Sequence, residues 1–127
     1  MNILTNIVAR ILFVLPMAMF GLGHFTNADS MANMMLPGIP GNTILVYLTG
    51  LALIAITVSI LIKKKASLAT LLLGIMLVLF ALIIHLPGMS NPDEMMAMSS
   101  TSNFFKDLGL AGAAFFMSGV FRKQEAE

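Results

Sequence analysis

Apolar positions fall in four long runs separated by short polar breaks. Uncharged stretches extend from Ile11 to Ala28, Ser30 to Ile62, Ala66 to Pro92 and Leu108 to Phe121. The hydrocarbon core of a bilayer takes about 20 helical residues at about 1.5 Å each. The pattern therefore predicts membrane-spanning helices over about 3–25, 44–62, 66–86 and 104–121. Together they make an all-α transmembrane four-helix bundle, a single membrane domain over 1–127.

The breaks add detail. Pro16 lies inside the first run, where a membrane helix tolerates a kink because neighbouring groups can satisfy the freed carbonyl. That run holds Arg10 and has no small-x-small cleavage pattern after it, so it reads as a retained helix and not as a signal peptide. Asn27 to Thr43, with Pro37, Gly38, Pro40 and Gly41, reads as a turn-rich segment. Lys63, Lys64 and Lys65 leave almost no loop, which predicts a tight antiparallel hairpin between the second and third spans. Ser90 to Asn103 reads as a polar loop, the fourth span is the shortest, and Arg122 to Glu127 is a charged tail. Lys63, Lys64, Lys65, Arg122 and Lys123 share one side of a four-span topology, so the positive-inside rule puts both termini in the cytoplasm and both longer loops outside. The localisation implied is multi-pass in a cell membrane, the bacterial plasma or inner membrane.

Composition narrows the function classes. The chain is 58% hydrophobic, with only 7 Lys or Arg and 6 Asp or Glu in 127 residues, too few to cover a water-facing surface. A net charge of +1 provides no basic face for nucleic acid. The absence of Cys closes thiol redox chemistry, disulfides and thiolate metal sites together.

Ionisable residues within spans are functional candidates by default. Alternating helix direction puts His24, His85 and the pair Lys106 and Asp107 at similar depth near the outer face. If they converge, they make a proton-handling or carbonyl-binding pocket, able to hydrogen-bond a quinone oxygen or another polar headgroup; a metal reading needs His24, His85 and Asp107 as three ligands. The plainer alternative has each residue reaching water or capping a helix end, with Asp107 in a first helical turn. Arg10 lies about 10 Å inside the inner end of its helix. It is expected to anchor there, bonded to Thr57, Ser59 or backbone carbonyls, or to contact a lipid or ligand headgroup.

Methionine is the compositional oddity, with 12 residues. Met31, Met34, Met35, Met89, Met95, Met96 and Met98 fall in the two outer loops. They read as a lid folded onto the bundle, with Cu(I) binding by the trios 31, 34, 35 and 95, 96, 98 as the alternative. Small residues at Gly109, Gly112, Ala113, Ala114 and Gly119 are expected to serve packing inside the bundle, with a homo-oligomer face as the alternative.

Arg10, the close of the first helix at Gly21, Leu22, Gly23, His24 and Phe25, His85, and the stretch from Asn103 through Lys106, Asp107 and Gly109 to Gly112 resemble the DoxX family of small four-helix membrane proteins. The resemblance covers nearly the whole chain. It implies an integral membrane bundle in which these polar positions are the candidate functional ones. Some members are named as the small subunit of a thiosulfate:quinone oxidoreductase and others are linked to membrane redox complexes, which implies a redox partner protein and quinone as ligand. Without Cys, persulfide chemistry would have to reside in that partner. The leading expectation is an accessory subunit that binds quinone or a similar lipophilic molecule near the extracytoplasmic face. The alternatives are the membrane subunit of a quinone-linked oxidoreductase and a Met/His copper-binding protein.

Overall fold

The computed structural model describes residues 2–127 and is helical nearly throughout, with no strand among the described residues. Four helices are long and apolar enough to cross a membrane: α1 (Leu4–Thr26), α3 (Asn42–Ile62), α4 (Ala66–Gly88) and α5 (Glu94–Ala126). A short helix, α2 (Ala28–Met35), lies between the first two. The chain divides into two compact units, the first ending at Lys65 and the second Ala66–Glu127.

Each unit contains an antiparallel helical hairpin. In the first, Arg10 near the start of α1 bonds carbonyls at the end of α3, while Gly21 and His24 near the end of α1 approach Leu53 and Gly50 of α3. A Cβ on Gly50 would lie 2.7 Å from the His24 Cβ and 3.1 Å from the Gly21 carbonyl oxygen, so only glycine permits this approach. The second unit repeats the device with Gly74, whose absent Cβ leaves room for the Phe115 ring. Buried positions recur at 46, 50, 53, 57 and 60 in α3 and at 107, 111, 114, 118 and 121 in α5, a 3.5-residue seam. The other faces are just as apolar. Leu12, Leu15, Leu48, Leu51, Leu72 and Phe116 stay exposed, which suits lipid as the surrounding solvent.

Three expectations need correction. The segment after α1 is not only turns: Asn27 ends that helix and α2 follows directly, seated by Ala28 and Ala32 against Val46. The fourth helix is the longest and not the shortest, because it begins at Glu94 and absorbs most of the supposed polar loop and the charged tail. Asp93 starts it, its carboxylate accepting the amides of Met95 at 3.0 Å and Met96 at 3.5 Å, a side-chain N-cap. Third, Gly109, Gly112 and Gly119 do not serve packing within the second unit, since a Cβ on any of them would meet nothing of it within 4 Å. The inward face of α5 instead uses Ala111, Ala114 and Ser118.

Helix ends are closed by side chains from the antiparallel neighbour. Glu125 near the end of α5 accepts the Ser67 amide at 3.2 Å and the Ser67 hydroxyl at 2.7 Å, covering donors left open at the start of α4. Ser118 Oγ donates to the Ser67 carbonyl at 2.8 Å. The Lys63–Lys65 turn uses left-handed backbone at Lys63 (φ 57°) and Lys65 (φ 53°).

Candidate functional site

The chain positions His85 by changing helix type. Along α4 the buried residues Leu77, Ala81 and His85 are spaced by four, and in a regular α-helix such a row drifts about 40° per step. Residues Ala81–His85 form a π-helical turn, whose wider pitch absorbs the drift and keeps both Ala81 and His85 inward. The helix continues through Pro87, which removes one amide from the ladder just beyond the π-helical turn. At Gly88 any side chain would collide with Ser100 of α5.

Opposite this turn stands Asp107, thirteen residues into α5 and about 20 Å from its start. Only 3% of Asp107 and 8% of His85 is exposed. His85 Nε2 lies 3.2 Å from Asp107 Oδ2, and Lys106 Nζ lies 3.4 Å from Oδ1. Lys106 also donates to Asn103 Oδ1 at 3.3 Å and keeps 38% of its side chain exposed. Asp107 thus sits between two donors with a counter-charge beside it, the arrangement that makes a buried carboxylate tolerable. Neither His85 nor Asp107 reaches water freely, against the expectation that His85 would, and Asp107 lies mid-helix and does not cap a helix end.

This contact leaves one imidazole nitrogen available. His85 Nδ1 has no partner among the described residues, and no buried side-chain nitrogen or oxygen among them lacks one, so Nδ1 is not sealed from the surface. A carboxylate only accepts, so the tautomer that suits this contact has its proton on Nε2. The neutral ring then offers Nδ1 as an acceptor, and the imidazolium offers it as a donor.

His24 stands in the first unit. Its Nδ1 donates to the Phe20 carbonyl at 2.6 Å, within its own helix, and it is half-buried over Gly50. Arg10 takes the backbone-carbonyl option: Nη1 donates to Ile60 at 3.3 Å and Leu61 at 2.9 Å, and Nε to Asn6 Oδ1 at 3.2 Å. Met31 packs on the Ala28, Ala32 and Val46 cluster, as a covering side chain would. Met34, Met95 and Met98 point outward, the last two 79% and 68% exposed, so they do not fold down as a lid. Met35 and Met96 are half-buried. Among the described residues no three His, Cys, Asp or Glu side chains gather as metal ligands.

Two contributors escaped the sequence reading. Asn103 was assigned to a loop, although its i, i+3 spacing from Lys106 is a helical signal. Glu125 was read as part of a solvated tail, and its Ser67 partner, 58 positions away, left no local trace. No family model, curated protein or solved structure matches the chain.

Proposed function

We propose that this chain is a DoxX-like integral membrane protein, an accessory subunit of a membrane redox complex that binds quinone or a similar lipophilic ligand at His85, Lys106 and Asp107. The observation that carries the reading is the buried His85–Asp107 contact with Lys106 at its rim, at the end of an apolar hairpin. In the proposed topology both termini are cytoplasmic and this end of the hairpin is extracytoplasmic, following the Lys and Arg distribution.

The chemistry fits a ligand that exists as carbonyl and hydroxyl forms. With neutral His85, Asp107 holds the Nε2–H tautomer and Nδ1 accepts a hydroxyl hydrogen, as a quinol offers. With the imidazolium, Nδ1–H donates to a carbonyl oxygen, as a quinone offers, and the Lys106 ammonium supplies a further donor. Asp107 orients the ring through Nε2, opposite the nitrogen that faces the ligand. Electrons would come from the partner protein, since the chain carries no thiol donor. His24 belongs to the reading as a separate candidate on the first unit.

The test is calorimetric titration of the full chain in detergent with a short-chain quinone and with its quinol. Saturable binding that weakens at least tenfold in His85→Gln, with helical content retained, supports the site. Equal affinity in the wild type, His85→Gln and Asp107→Asn overturns it.

A further inference from the structure

The first unit carries a separate feature that quinone binding does not use. Its four cations, Arg10, Lys63, Lys64 and Lys65, stand at one end of the hairpin, and its sole carboxylate, Asp29, belongs to α2 at the other end, where it accepts from Thr43. Arg10 is half-buried, and its guanidinium is pinned through Nε and Nη1 to Asn6, Ile60 and Leu61. Those partners are neutral, so the charge itself is uncompensated, and Nη2 keeps two donors with no partner among the described residues. A cation held at the edge of hydrocarbon without a counter-charge calls for an anion from outside the chain.

The turn points to the same ligand. Lys63 and Lys65 adopt left-handed backbone, which glycine or asparagine takes far more easily. Ser59 holds the strained turn, its hydroxyl donating to the Lys64 carbonyl and its carbonyl accepting the Lys64 amide at 3.2 Å. All three lysines are exposed, and none forms an ion pair among the described residues. Backbone strain at two lysines with no ion-pairing role in the fold means that their charge, and not the turn, accounts for the residue type. The two Nη2 donors of Arg10 can meet phosphate oxygens, and the lysines add point charges at the same end of the hairpin.

We infer that Arg10 with Lys63, Lys64 and Lys65 forms a binding site for the phosphodiester headgroup of an anionic phospholipid. A lipid is the source because the turn directly follows an apolar helix of 21 residues, which fits a membrane span and would bring the cations to headgroup depth.

The test uses native mass spectrometry of the full chain in detergent micelles with added phosphatidylglycerol or phosphatidylcholine, paired with titration of fluorescent phosphatidylglycerol. The expected result is one retained phosphatidylglycerol per chain with at least tenfold preference over phosphatidylcholine. The triple variant Lys63→Gln, Lys64→Gln, Lys65→Gln, altered only at exposed positions, loses most of that preference, and Arg10→Lys loses at least threefold through loss of the Nη2 donors and of the bonds that hold them in place. Equal retention of the two lipids overturns the inference, as does full preference in the triple variant. Displacement of phosphatidylglycerol by millimolar inorganic phosphate overturns the assignment to a lipid. Quinone affinity, read at His85, is unaffected by the lysine changes, so failure of one proposal is distinguishable from failure of the other.

Discussion

The two units use one architecture and treat charge in opposite ways. Both are antiparallel hairpins with a 3.5-residue seam and a glycine at the close approach, Gly50 in the first and Gly74 in the second. In the first the seam is apolar apart from Thr57, whose hydroxyl bonds its own helix, and the cation sits at the end against neutral carbonyls. In the second the seam contains a carboxylate, an imidazole and an adjacent ammonium that neutralise one another. Apolar glycine packing therefore suffices to join two such helices, and the polar trio in the second unit is more than the fold requires.

The largest expected effect follows from that contrast. Asp107→Ala leaves the buried His85 Nε2 without its carboxylate and destabilises the second unit by about 3 kcal/mol, read from denaturant unfolding of the micellar protein by circular dichroism. Asp107→Asn keeps an acceptor and costs roughly half as much. A loss below about 1 kcal/mol for Asp107→Ala would mean that the trio contributes little to packing.

Next come the two glycines, which separate the hairpins by how far each neighbour can yield. Gly50→Ala meets the His24 Cβ and a backbone carbonyl, atoms that move only with their helix, and is expected to cost about 2 kcal/mol. Gly74→Ala meets only the Phe115 ring, which is partly exposed and can swing outward, so about 1 kcal/mol is expected. The reverse order, measured by the same unfolding, would break the claim that the first unit depends more on its glycine.

Smaller effects test the ends. Arg10→Lys removes the two-carbonyl clasp at the end of α3, and Glu125→Gln weakens the clasp on Ser67, each by about 1 kcal/mol or less. The smallest change has the opposite sign. Gly112→Ala meets nothing in the second unit and gains about 0.5 kcal/mol of helix propensity, so a destabilisation there would reveal another surface packed on that face.

How much was legible depended on whether one face of a helix differed from another. Backbone carbonyls were one of several partners expected for Arg10, and the four apolar helices were readable because length and charge alone decide them. The start of α5 was not: Ser99, Ser100, Thr101 and Ser102 are weak helix formers, and equating a helix with its apolar span hid the ten residues before Phe104. Nor was the meeting of His85 with Asp107. Helices that are apolar on every side give no hydrophobic direction from which to infer rotation, and the π-helical turn that aims His85 has no sequence signature here. The seam spacing in α5 was present in the sequence, but its small residues drew attention to Gly109 and Gly112 on the outward face.

At 33 residues α5 is a rod of about 50 Å, longer than the roughly 30 Å hydrocarbon core of a bilayer. Glu125 clamps one end of the rod to Ser67, and Met95 and Met98 stand exposed near the other. Ser100 against Gly88 and Phe115 against Gly74 brace the rod on both sides of Asp107. The His85–Asp107 contact is therefore held inside a braced stretch, shielded from movement of the methionine tip.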